Sequence, residues 1–288
     1  MLSLSDIVNV KVGIGRGVFE APGATVIGGK KPSFNLEILK LFANNEQGFF
    51  YDPNDLSTMF QDAAGTIPVT AVGQHVGLML DKSGRGNHAR QTTSASRPIL
   101  RKNAVTGAYY LEFDGSDDFL QTNSIDFTST DKVSLFIGVT NLKNTAAIIA
   151  EVSNNAYFHV NAFYLVSGTD VDITGYTSFS RGAASESFSQ IAKASPYIAP
   201  NTSVLSVKHD ISGDLSTLRV NGVKGVDGTG DKGAGNFGNH PLYIGRRGVY
   251  ALPFNGHIYS LIGVGKLVSD NETIAVEKEL AKRVGVTL

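Results

Sequence analysis

Along most of the chain, apolar and polar residues alternate in short runs punctuated by glycine, asparagine or aspartate, the period-two pattern of half-buried strands. Leu111 and Phe113 share one face, Glu112 and Asp114 the other, and Phe119-Leu120 resumes the apolar run after Asp114-Gly115-Ser116-Asp117-Asp118. Asp-Gly predicts a tight turn there, because glycine accepts positive φ without steric cost. Beyond it the pattern predicts core strands over Val133–Val139, Ala146–Ala150, Phe158–Val166, Val204–Asp210, Thr217–Val220, Leu242–Arg246 and Phe254–Val264. Asn221-Gly222, set between Val220 and Val223, predicts a two-residue hairpin of the I′ kind. Before the turn, Val76–Leu80 reads as a short strand ending in the glycine-rich run Asp81–Ala89.

The periodicity changes at both ends of the chain. Ser269-Asp270-Asn271-Glu272 is a capping box, the segment Ile274–Val284 has helical spacing, and Gly285 supplies a stop. Near the start, Ile7–Ile14 alternates like a strand before Gly15, Gly17, Pro22 and Gly23 interrupt it, and Asn35–Phe42 fits either a strand or a short helix. Residues 1–47 are too few to close a core alone. They read as an arm, packed on the main domain or docked on a neighbouring subunit; an unpaired apolar strand is a natural donor for sheet augmentation, which favours docking. Asp55 or Ser57 is placed to cap one helical turn after Phe49–Asp52. The Gly, Ala and Ser rich patches at 181–195 and 225–240 predict loops, surface connections before recognition elements.

Composition narrows the picture. The chain has 288 residues with 42% hydrophobic content, enough to bury a full core, and no apolar run approaches the length of a membrane span. Met1–Asp6 lacks a basic start and a continuous apolar stretch, so no secretory signal is expected. Cysteine is absent, which removes disulfides and thiolate chemistry and fits assembly in a reducing cytoplasm. With 25 basic and 26 acidic residues no global field favours nucleic acid, so no nucleic-acid partner is expected. The 32 glycines fit many short strands joined by turns.

The phrase Leu111-Glu112-Phe113-Asp114-Gly115-Ser116-Asp117-Asp118-Phe119-Leu120 resembles the early strand pair of laminin-G-like, or concanavalin A-like, sandwich domains. Val220-Asn221-Gly222, Tyr243-Ile244-Gly245 and Phe254-Asn255-Gly256-His257-Ile258 match the ordered landmarks of the same family. The run from Phe50-Tyr51-Asp52-Pro53 through Asp81-Lys82-Ser83-Gly84 to Asn87-His88-Ala89 is similar to a segment recurrent in tailed-phage and prophage virion proteins. The resemblance covers residues 48–288. It implies an all-β antiparallel sandwich of the jelly-roll type, with one short C-terminal helix and an extended N-terminal arm over 1–47. It further implies a structural virion protein of tail, baseplate, fibre or head decoration, assembled in the bacterial host cytoplasm. In that setting residues 1–47 would contact other virion proteins, the chain would be a homo-oligomer (a trimer in the first instance), and the sandwich would meet the host surface. The alternative is a carbohydrate-binding receptor-recognition module.

Candidate chemistry is sparse. Laminarinase-type hydrolases of this fold carry Glu-x-Asp-x-(x)-Glu on one strand; here Glu112 and Asp114 are followed by Asp117 beyond a Gly-Ser turn, and Trp is absent. No catalytic residue and no enzyme activity are therefore expected. Asp114, Asp117 and Asp118 offer several oxygens to a hard cation, so calcium is the one cofactor considered, against the plainer reading that Asp114 stabilises its own turn. The six histidines are scattered singly and predict no zinc site. Arg246, beside Arg247, is a small basic spot suited to an exposed turn or to an acidic glycan or phosphate; with the three aspartates it completes the candidate ligand set.

Overall fold

The computed structural model describes residues 34–154, 160–170, 173–185, 187–248 and 252–288; the strand expected over Ile7–Ile14 and the start of that expected at Phe158 lie outside them. The ambiguous segment at 35–42 is a helix, α1 (Phe34–Lys40), followed by strands β1 (Gly48–Tyr51), β2 (Met59–Phe60), β3 (Leu78–Met79), β4 (Ala89–Arg90) and β5 (Ile99–Lys102). The regular region supplies β6 (Tyr109–Asp114), β7 (Leu120–Asp126), β8 (Lys132–Asn141), β9 (Ala147–Val152), β10 (Ala162–Asp170) and β11 (Ile173–Arg181). β12 (Ala192–Ala194), β13 (Asn201–Asp210), β14 (Leu215–Val220), β15 (Val223–Lys224), β16 (Asn239–Ile244), β17 (Asn255–Val264) and α2 (Asp270–Val284) complete the chain.

The strands form two antiparallel sheets. The first runs β15-β14-β13-β8-β17-β6-β5, with β1 also paired to β17; the second runs β12-β11-β10-β9-β16-β7-β4-β3-β2. Inward-facing apolar residues of both, among them Phe49, Phe113, Leu120, Ile137, Ile149, Phe163, Leu205 and Leu261, make one core between the sheets. The expected all-β antiparallel sandwich with one C-terminal helix is thus the observed architecture. β6 and β7, however, are not a hairpin: the Asp114–Asp118 turn carries the chain from the first sheet to the second. Asn221 and Gly222 both have positive φ (49° and 78°) and join paired β14 and β15, as a I′ hairpin requires.

α2 begins at the expected capping box, with Ser269 and Glu272 exchanging bonds, and ends at Gly285 in the left-handed conformation. It lies on the outer face of the first sheet, where Val276, Leu280 and Val284 meet Phe136, Val204 and Ile262. Three ion pairs fasten it, one of them between Lys208 of β13 and Asp270 at its first residue, 2.7 Å apart. Glu277, 1% exposed, accepts from Arg219 Nε at 2.8 Å and from Ser206 Oγ at 2.8 Å. Arg283 donates to Asp52 Oδ2 at 3.1 Å and Ser260 Oγ at 2.7 Å. Residues 34–47, which the sequence assigns to the arm, pack here too: Ile38, Leu41 and Phe42 join the cluster under α2, and Arg85 donates to the carbonyls of Phe42 and Glu46.

Two segments that look loose in the sequence are tightly held. In the glycine-rich turn after β3, buried Asp81 accepts from the backbone N–H groups of Phe50, Ser83 and Asn87 at 2.8–3.0 Å. The 225–240 patch is not a free surface loop. Val226 and Lys193 exchange backbone bonds, Ser216 and Gly228 do the same, and Phe237 is buried. Lys232, 0% exposed, donates through Nζ to the carbonyls of Gln190 (3.0 Å) and Ser180 (3.3 Å). Burial pushes its ammonium down to about 8. Nearby His209 bridges Ser178 and Ser216 Oγ at 3.0 and 2.8 Å, and burial holds it neutral.

Candidate functional site

Register builds a transverse row on the outer face of the second sheet. Arg90 of β4 lies opposite Gln121 of β7, Gln121 opposite Tyr243 of β16, and Tyr243 opposite Glu151 of β9. Glu151 is in turn opposite Tyr164 of β10, and Tyr164 opposite Phe179 of β11. Directly paired residues share a face, so six strands contribute one side chain each to a single band.

The band divides into a closed half and an open half. In the closed half, Tyr164 stacks on Phe179 with ring centroids 4.9 Å apart. Arg247 lies 5.0 Å over Tyr164 and donates to Glu151 Oε2 at 2.8 Å, which neutralises a carboxylate only 1% exposed. Burial and the Glu151 charge push the Tyr243 phenol up. This half is apolar packing around a satisfied ion pair.

The open half is a shallow trough of about 240 Å³ lined by Arg90, Gln91, Phe119, Gln121 and Asn123 among others. Arg246 adjoins it through Phe119: its guanidinium stacks 4.0 Å from the Phe119 ring and donates to the Gly248 carbonyl at 3.1 Å. Arg246 Nε is buried and makes no hydrogen bond among the described residues. Gln91 is committed to the frame, giving Nε2 to the Phe119 carbonyl and accepting from Thr93 N. The trough therefore presents amides, guanidiniums and one aromatic face, the donor set that grips hydroxylated or charged ligands over an apolar platform.

Immediately before Phe119 in the chain stands the acidic turn. One oxygen from each of Asp114, Asp117 and Asp118 lies within 4.8 Å of the others, so the sequence-selected trio does converge. Asp114 Oδ1 accepts from Ser116 N (2.8 Å) and Asp117 N (3.3 Å), the self-stabilising pattern of such turns. Asp117 accepts from Ser96 Oγ, and Asp118 Oδ2 from Asp114 N at 3.1 Å. Gly115 has φ 77°, and a side chain there would strike Asn255, which donates to the Asp114 carbonyl at 2.6 Å. Asp118 is 7% exposed; burial first, then the neighbouring Asp114 and Asp117 charges, pushes it up to about 6. Three oxygens from one turn fit part of a calcium shell, with the remainder left to water or ligand. Arg246 does not join the trio; it serves the trough.

Sequence reasoning missed Arg90, Gln121 and Phe119, because only strand pairing brings them together. It also missed Arg97, whose guanidinium donates to the carbonyls of Gln61, Gln91 and Thr92, each at 3.0 Å, and so shapes the wall shared by the trough and a neighbouring groove of about 450 Å³ containing His75.

No protein-family model and no curated protein matches the chain. Solved structures of the same fold do. An arabinofuranosidase complexed with arabinofuranosyl-α-1,2-xylobiose superposes with TM-score 0.59 at 14% identity, over 85% of this chain and 65% of that one. A GH54 α-L-arabinofuranosidase soaked with a cyclic sulfate inhibitor gives 0.60 at 14% identity over the same shares. Domain 4 of a GH43 extracellular arabinanase from Geobacillus stearothermophilus, in complex with arabinotriose, gives 0.50 at 12% identity, covering 81% of this chain and 98% of that domain. This chain thus spans 65% of the length of the two arabinofuranosidases. The comparison corrects the expectation of no enzyme activity: sandwiches of this fold include glycoside hydrolases, so the missing Glu-x-Asp-x-Glu motif and the absence of Trp do not set hydrolysis aside.

Proposed function

We propose that this sandwich is a carbohydrate-binding domain whose ligand lies in the trough at Arg90, Phe119, Gln121, Asn123 and Arg246. The observation that carries the reading is the half-buried cluster of amide and guanidinium donors beside an aromatic ring, assembled by register on one sheet face. The fold shared with an arabinofuranosidase complexed with arabinofuranosyl-α-1,2-xylobiose and with an arabinanase domain in complex with arabinotriose supports it. Glycan-array binding by the whole chain, repeated with Gln121→Ala, tests it: specific retention that the substitution weakens is expected, and no retention on any glycan refutes it.

The hydrolase neighbours favour a second reading in which the acidic turn acts on a bound glycan. Asp118, held largely protonated up to about pH 6, would be the proton donor, beside more exposed carboxylates. Release of reducing ends from arabinan or another polysaccharide, abolished by Asp118→Asn, would establish it; no release from any glycan the chain binds would remove it.

The setting in a phage virion is proposed from the sequence phrases alone, with attachment through the N-terminal arm and a trimeric homo-oligomer. Light scattering that returns the 30.6 kDa monomer counts against the oligomer. Loss of virion incorporation on deleting residues 1–33, which spares α1, is the result expected of an anchor.

A further inference from the structure

Among the described residues, guanidinium groups are almost all committed. Among the described residues, Arg101, Arg219, Arg247 and Arg283 are paired with Glu112, Glu277, Glu151 and Asp52. Arg85, Arg97 and Arg181 donate to backbone carbonyls. Two stand apart. Arg90 makes no ion pair and its guanidinium makes no hydrogen bond among the described residues, and Arg246 has one carbonyl contact with its Nε unused. Arg90 lines the trough together with Phe119, and Arg246 stacks on the Phe119 ring.

The trough wall carries Gln91, Gln121 and Asn123 and no carboxylate, and Glu151, which shares the surroundings of Tyr243 with Arg246, is paired with Arg247. The two acids just before Phe119 are engaged in their own turn: Asp117 accepts from Ser96 and Asp118 from the Asp114 N–H. Two cations with no ion-pair partner among the described residues, one lining the trough and one stacked on its aromatic ring, leave a donor surplus that a neutral sugar would not use. A planar carboxylate would, since it takes two parallel N–H bonds from one guanidinium.

We infer that the trough takes an acidic glycan, a sugar bearing a carboxylate, with Arg90 and Arg246 receiving the anion and Phe119 the apolar face of the ring. This rests on the carbohydrate-binding reading above and narrows it to a ligand class.

The test is calorimetric titration of the full chain with four probes: oligogalacturonate, its methyl ester, sialyllactose and neutral arabinotriose. Arg90→Gln and Arg246→Gln are measured beside the native chain, with circular dichroism melting to confirm that the variants fold. The expected result is binding of at least one carboxylated probe, weakened about tenfold or more by either substitution and, for galacturonate, by esterification. Unchanged affinity of a carboxylated probe in both folded variants overturns the inference. Binding of arabinotriose without either acidic probe overturns it while leaving the carbohydrate reading in place. Silence on all four, together with an empty glycan array, takes both down.

Discussion

Replacing Asp118 by asparagine gives the most direct reading of the acidic turn. In the native chain the carboxyl is displaced from an ordinary value of 3.8 to about 6, by burial and by the charges of Asp114 and Asp117. At about 1.36 kcal/mol per pH unit, its ionisation above pH 6 costs the fold up to about 3 kcal/mol. The sign follows from proton counting. Between about pH 4 and 6 the unfolded chain releases this proton while the folded chain keeps it, so stability falls as pH rises through that window. Below it the group is protonated in both states and contributes nothing. Asparagine is uncharged throughout and retains an oxygen for the Asp114 N–H at the present 3.1 Å. Urea unfolding of both chains should therefore show Asp118→Asn more stable by about 2–3 kcal/mol at neutral pH, a gap closing near pH 3.5 to 4. A gap independent of pH, or a variant less stable at neutral pH, refutes the argument. Millimolar calcium adds a second readout: if the trio holds the ion, calcium raises the native melting temperature and narrows the gap, while the variant shifts less. Equal shifts would remove the calcium site.

Truncating Glu277 strands Arg219 against the sheet, so Glu277→Ala should cost about 3–5 kcal/mol in urea unfolding; a loss under 1 kcal/mol would show the pair to be replaceable. Lys232, lowered from 10.5 to about 8, burdens the fold at neutral pH, and native stability should rise by about 3 kcal/mol between pH 8 and 10.5 relative to Lys232→Met. Parallel pH profiles for the two chains would contradict that. A Cβ on Gly256 would stand 2.1 Å from the Thr140 carbonyl oxygen, where strands β17 and β8 meet; Gly256→Ala should lower the melting temperature by several degrees, and an unchanged melt would sink the steric argument.

The architecture was largely legible, because period-two runs and Asn-Gly or Asp-Gly turns are local signals. So was α2, whose capping box and stop lie within one stretch of chain. Pairing partners were not. Nothing local to Leu111–Leu120 says that its two strands part into different sheets, and nothing in Gly225–Asn239 announces that Lys232 and Phe237 are buried. The aspartate trio was found because it is contiguous. Arg90, 31 positions from Gln121 and 153 from Tyr243 in the chain, becomes their neighbour only through the register of three strands.

Among the described residues β1 pairs with β17 alone, and Asp52 just beyond it is clamped by Arg283, 231 residues along the chain. During synthesis, then, β1 must wait without its strand partner, held by the bonds of Phe50 to Asp81 and Lys82, until residues 255–283 have left the ribosome. The Phe49–Tyr51 triplet is the segment most in need of shelter over that interval, and a ribosome stalled anywhere before β17 would leave its aromatic rings without a place in the core.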